Sequence, residues 1–100
     1  MSSDYNARRA NHLARMGIAS ADDIVDGKAY YRVSSTTYSS KHGAKCELCG
    51  GGNSREIFIQ TRERGVVDDG ERFLTHEGTV FGHEECLAAG REAGAHVKRS

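Results

Sequence analysis

Two short motifs carry the residues best suited to chemistry in this chain. Cys46-Glu47-Leu48-Cys49-Gly50 sets two thiols two residues apart on a tight turn, with a glycine after the second where left-handed backbone would strain a side chain. Such a turn aims both sulfurs inward and lets nearby backbone N–H groups offset thiolate charge. His83-Glu84-Glu85-Cys86 supplies a second pair, whose spacing of three places both side chains on one face of a helix. Three thiolates and a neutral imidazole form a closed tetrahedral shell, the donor set of structural zinc, with no position left for substrate or an activated water. One structural Zn²⁺ held by Cys46, Cys49, His83 and Cys86 is therefore expected. A site of that kind holds shape, so the chain is expected not to be an enzyme.

The composition explains why a metal is needed. Only 17 of 100 residues are Val, Ile, Leu or Phe, and 12 are Gly, which raises the entropy cost of folding. Small domains with so little core usually rely on disulfides or a metal. Three cysteines cannot pair completely, and reducing compartments disfavour even one bridge. Structural zinc contributes an apparent binding free energy of about 10–16 kcal/mol near neutral pH, large beside the net stability of a small domain. No apolar run approaches membrane-spanning length, and Arg8, Arg9 and Arg15 break any secretory pattern at the start, so a cytoplasmic protein is expected.

The elements that must position the ligands are read as follows. Ser3 or Asp4 caps a helix to about Met16, with Gly17 as its left-handed stop and Ile18 folding back. Ser20 and Asp23 suggest a capping box for a short helical turn, ended by Asp26-Gly27, and Lys28 to Val33 reads as a strand. Ser34 to Ser40 is all Ser, Thr or Tyr, an exposed edge strand or a polar connection running into Lys41-His42-Gly43. Glu56 to Arg62 is rich in strand formers, with Ile57, Ile59 and Thr61 on one face. Turns at Asp68-Asp69-Gly70 and Glu77-Gly78 bracket further strand, and a helix is expected from about His83 to His96. The whole is an α+β chain, divided into an extension at 1–44 (helix and strand) and a metal module at 45–100.

The order knuckle, hairpin, helix with a second ligand pair in its first turn resembles the treble-clef zinc fingers. Cys46 to Gly50, the strands between Ile57 and Phe81, and Phe81-Gly82-His83-Glu84-Glu85-Cys86-Leu87 carry the likeness, over a little more than half the chain. The CxxC…HxxC order is similar to the first half of a LIM domain, although 33 residues separate Cys49 from His83. The resemblance implies a knuckle, a β-hairpin and a C-terminal helix around one ion.

Competing chemistries fit less well. A redox CxxC opens a helix, whereas Gly50-Gly51-Gly52 follows this one. A zinc deaminase places HxE before PCxxC, the reverse of the order here, and the chain has no Pro. A compact nuclease of HNH type needs a His-centred hairpin, to which Thr75-His76-Glu77-Gly78 is a poor match; His42 and His76 read as surface histidines. Glu84 and Glu85 read as first-turn carboxylates complementing the helix dipole.

Net charge is zero, but residues 1–45 carry seven Lys/Arg against four Asp/Glu and residues 46–100 seven against ten. Arg8, His12 and Arg15 share a helix face, and with Lys28 and Arg32 they can contact phosphate, while Tyr30 or Tyr31 can stack a base. One of that tyrosine pair is expected in the core and the other on the surface. Two partner classes follow: a protein engaged by a zinc-held module, and, as the alternative, nucleic acid gripped by Arg8, Arg15, Lys28 and Arg32.

Overall fold

The computed structural model describes residues 2–39, 46–50 and 56–99. Two helices, α1 (Ser2–Arg15) and α2 (Glu84–Ala89), accompany strands β1 (Ala29–Ser39), β2 (Glu56–Asp68), β3 (Glu71–Gly82) and β4 (His96–Arg99). The strands form one sheet in the order β3-β2-β1-β4, antiparallel except for the parallel pair β1–β4. The fold is α+β, as expected, and β1 from the N-terminal segment is paired with strands from the rear of the chain on both sides.

α1 begins at Ser2, so Ser3 and Asp4 lie inside its first turn; their side chains are outside the described residues. Its end follows the sequence closely. Gly17 takes φ 78°, its N–H reaches the Ala14 carbonyl at 2.9 Å, and the Ile18 N–H reaches Leu13 at 2.8 Å. These are the two bonds of a Schellman stop, and its usual apolar contact joins Ile18 to Leu13 in a buried cluster with Met16, Ile24 and Tyr30. Ser20 Oγ accepts the Asp22 N–H and caps a single 3-10 turn at Ala21–Asp23. Asp69 and Gly70, both at positive φ, make the two-residue turn between β2 and β3.

Neighbouring strand residues point to opposite faces. Tyr30 and Tyr31 are nonetheless both buried, at 2% and 1% exposure, which corrects the expectation that one lies at the surface. The reason is that β1 is covered on both faces. Tyr30 packs with α1, and its hydroxyl accepts the Val25 N–H at 2.9 Å; Tyr31 points the other way, and its hydroxyl accepts the Glu92 N–H at 3.2 Å beyond α2. On the α1 face His12 pairs with the buried Glu63 at 2.9 Å. On the α2 face Arg91 donates to Gln60 at 2.9 Å.

Two further expectations are corrected. The last helix stops at Ala89 instead of His96: Gly90 caps it, Gly94 sits at φ 75°, and a glycine inside a helix costs about 1 kcal/mol relative to alanine. The released chain pairs His96–Arg99 with Tyr30–Val33 as β4. Glu77-Gly78 is not a turn, because β3 runs through it with a bulge; Arg62 pairs with Gly78 and Glu63 with His76, leaving Glu77 as the extra residue. The bulge aims Glu77 at Arg64, 2.9 Å away, and at Arg62, 3.3 Å away. Ser34–Ser39 continues β1 past the end of β4, so it has β2 on one side only, the edge-strand outcome. The Lys41-His42-Gly43 connection lies outside the described residues.

β2 crosses the Val25–Lys28 segment at close range. Gly65 exchanges backbone hydrogen bonds with Gly27 and Lys28, both 2.8 Å, and a Cβ at Gly65 would stand 2.2 Å from the Val25 carbonyl oxygen. Gly65→Ala is expected to lower stability by about 1–3 kcal/mol, read as an earlier thermal unfolding midpoint, with the stoichiometry of bound metal unchanged at low temperature.

Candidate metal centre

The knuckle folds through its own backbone. The Gly50 N–H closes on the Cys46 carbonyl at 2.8 Å, with Gly50 at φ 77° as its place after the second thiol requires. The Glu47 N–H donates to Phe81 O at 2.9 Å, tying the turn to the end of β3. The same strand delivers His83, which stands just ahead of α2 in extended conformation and leaves its ring free of any capping bond. Cys86 follows in the first turn of the helix, and the Leu87 N–H closes on His83 O at 3.0 Å.

These segments bring the four expected ligands together: one donor atom from each of Cys46, Cys49, His83 and Cys86 lies within 4.8 Å of the others. His83 Nδ1 is 3.4 Å from Cys49 Sγ and 4.0 Å from Cys86 Sγ. A tetrahedral zinc with bonds of about 2.3 Å to sulfur and 2.0 Å to nitrogen has donor–donor edges of about 3.5–3.8 Å. The four residues thus fit a tetrahedral ion, with Nδ1 as the nitrogen donor and the Nε2 tautomer carrying the proton. Cys46 and His83 are buried, while Cys49 lies toward solvent.

The electrostatics are uneven. Burial works against a thiolate at Cys46, but N–H groups from Cys49 at 3.4 Å and His83 at 3.5 Å, with a further backbone bond from Leu48, outweigh it and lower this thiol to about 6. Burial, followed by the neighbouring Cys46 and Cys49 sulfurs, pushes Cys86 up to about 11. The surroundings thus favour the thiolate at Cys46 and disfavour it at Cys86, where a bound cation would offset the cost.

Sequence reasoning missed the residues that support this cluster. A Cβ on Gly82 would meet Cys46 Sγ and Leu87 Cδ2, each at 3.3 Å, so the absence of a side chain lets β3 pass against the knuckle. Leu87 is buried one residue beyond Cys86. Glu84 does more than complement a helix dipole: it pairs with Arg99 of β4 at 2.7 Å and with Arg91 at 3.1 Å. Arg99 first, and then Arg91, hold its carboxyl below the usual range. Only the glycine preceding the His in Phe81-Gly82-His83 was visible as a signal.

The four basic residues expected to contact nucleic acid are distributed differently. Arg8 is exposed on α1 and lines a groove with the β2–β3 turn, and Arg15 is exposed at the helix end. Lys28 lies over the Tyr30 ring, 5.6 Å from its centroid, and half-buried Arg32 donates to Ser34 at 3.3 Å. Among the described residues no hydrogen bond or shared groove joins these four. His76 is exposed on β3, and His42 is outside the described residues. Among the described residues no helix is long and apolar enough to cross a membrane. No protein-family model, curated protein or solved structure matches the chain.

Three outcomes follow from the geometry. Gly82→Ala is expected to weaken Zn²⁺ binding by about 10-fold or more, measured by competition with a chromophoric chelator. Because loading must displace a proton from Cys86 anywhere below about 11, while Cys46 is already ionised above about 6, affinity should rise steadily from about pH 6.5 to about 8.5; a flat profile would contradict the assigned ligands. The Glu84 carboxylate has a dependence of the same sign in a more acidic range. Its folded-state pKa is depressed, so its contribution to stability is present above the ordinary carboxylate range and is lost as pH falls through the lowered value. Glu84→Gln should therefore flatten the acid limb of an unfolding curve.

Proposed function

We propose that the chain is a non-enzymatic, treble-clef-like interaction module, held by one structural Zn²⁺ and engaging a protein partner. The observation that carries this reading is the closed Cys₃His donor set at tetrahedral spacing, at the junction of the knuckle, the end of β3 and the start of α2. When bound, zinc would cross-link these segments, with Cys46, Cys49, Cys86 and His83 Nδ1 filling its shell. Four protein donors leave no position for substrate. Several other groups suited to acid–base work are engaged: His12 with Glu63, Glu84 with Arg91 and Arg99, and Glu77 and Glu92 with Arg64.

A protein partner is favoured by the surface beside the knuckle. A cleft of about 290 Å³ is walled by Tyr31, Leu48, Val80 and Leu87, and Leu48 at the knuckle's tip is 53% exposed. An apolar side chain in that position, on a turn the ion would fix, has the character of an anchor for a partner's side chain. A second reading, nucleic-acid binding through the basic N-terminal half, is favoured by Arg8 and Arg15, exposed and in no ion pair among the described residues.

Purified protein should contain one zinc per chain, and exhaustive chelation should abolish its folded near-UV spectrum. Leu48→Ser should retain the metal while losing at least tenfold in affinity for a protein captured specifically by the unaltered chain. Metal-free protein with an unchanged spectrum would refute the module.

A further inference from the structure

Opposite the metal centre in the sequence, a groove of about 990 Å³ runs between α1 and the start of β3. Arg8, Arg9 and Arg72 line it, and like Arg15 and Arg32 they differ in their partners from other arginines of the rear half. Arg62, Arg64, Arg91 and Arg99 each sit against a glutamate. Arg9 donates instead to the backbone carbonyl of Arg72, Arg72 donates to the Ile24 carbonyl at 2.7 Å, and Arg8 is exposed. Among the described residues none of the three is in an ion pair. Asp22 and Glu71 also line the groove, but neither is paired with these guanidinium groups.

Carbonyl contacts orient a guanidinium without neutralising it. Arg9 and Arg72 are thus each anchored on a backbone carbonyl and not on a carboxylate, and with Arg8 they give the groove three guanidinium groups against the two carboxylates of Asp22 and Glu71, an excess that favours an anion. Guanidinium groups match phosphate oxygens bidentately. The groove also exposes apolar lining from Ala21, Phe73 and Leu74, against which a base can lie. Its walls, a helix on one side and a strand edge on the other, admit one strand better than a duplex.

We propose that this groove binds the phosphate backbone of single-stranded nucleic acid through Arg8, Arg9 and Arg72. The proposal rests on the nucleic-acid reading of the N-terminal half and moves its centre from the Arg15, Lys28 and Arg32 side to the α1–β3 groove.

The test is fluorescence anisotropy of the full zinc-loaded chain with a labelled 12-nucleotide single strand over a salt series, with the matching duplex and polyglutamate as competitors. Arg8→Glu, which removes no described contact, should weaken binding about tenfold and lower the magnitude of the salt slope by about 0.7, the single-strand value per phosphate. Arg9→Gln should act in the same direction, and Lys28→Glu should change affinity less than twofold; zinc content and circular dichroism would verify that each variant is folded. Strand binding that responds to Lys28→Glu and not to Arg8→Glu or Arg9→Gln would overturn the groove while leaving the nucleic-acid reading intact. No binding at low salt would overturn both. Preferred binding of duplex would overturn the single-strand assignment, and displacement by polyglutamate at matched charge would make the groove a site for acidic peptide instead.

Discussion

Tyr30 and Tyr31 stand back to back on β1, and each layer of the protein is built against one of them. Consecutive strand residues point to opposite faces, so burying both demands cover on both sides of the sheet. A chain with so few large aliphatic residues meets that demand with two amphipathic rings whose hydroxyls accept backbone N–H groups from Val25 and Glu92. Each ring therefore positions a neighbouring segment as well as filling space. The Val25 contact seats the chain between α1 and β1, and the Glu92 contact seats the chain between α2 and β4.

The metal centre occupies the end of this sheet where the apolar core gives out. There Cys46, His83 and Leu87 are buried together with only a glycine, Gly82, between knuckle and helix. Close backbone approach does the work that side-chain packing does around Leu13 and Ile24. It also directs N–H groups at Cys46 Sγ, which is why this thiol ionises early although burial alone would keep its proton. Cys86 lacks that support and stands beside two other sulfurs. The two thiols are thus pushed in opposite directions, and a cation bound here would couple the local fold to metal and proton together.

What could be read from the sequence was what local chemistry determines. The four ligands, the glycine after the knuckle, the Gly17 stop of α1 and the Asp69-Gly70 turn all follow from residue type and short spacing, and the structure places each where its chemistry requires. What could not be read depends on partners distant in the chain. His96–Arg99 has one large aliphatic residue and no useful alternation; it is a strand because β1 offers four residues of open edge. Gly90 and Gly94 were legible as helix-weakening, but the distance over which metal anchoring would override them was not. The support that Gly82 gives the Cys/His cluster, the contact at Gly65 and the burial of Glu63 against His12 arise only when β2 and β3 are in register. Gly78 looks like a turn residue by type, yet the pairing of both flanks to β2 turns the same residue into part of a bulge.

Charge illustrates the same distinction between composition and placement. A sum of zero, with an acidic rear half, suggests that no face of the molecule attracts anions. Three of the rear glutamates, however, are committed to rear arginines: Glu77 and Glu92 to Arg64, and Glu84 to Arg91 and Arg99. Charges paired within a few ångströms contribute little field beyond a Debye length, about 8 Å at physiological ionic strength. The far field is then set by the groups left over. Arg8, Arg9, Arg15 and Arg72 are all among them, and all lie on α1 or on the strand it covers. Neutral composition and a local excess of arginine over carboxylate in the α1–β3 groove, three against two, are compatible because Glu77, Glu84 and Glu92 are paired with arginines elsewhere.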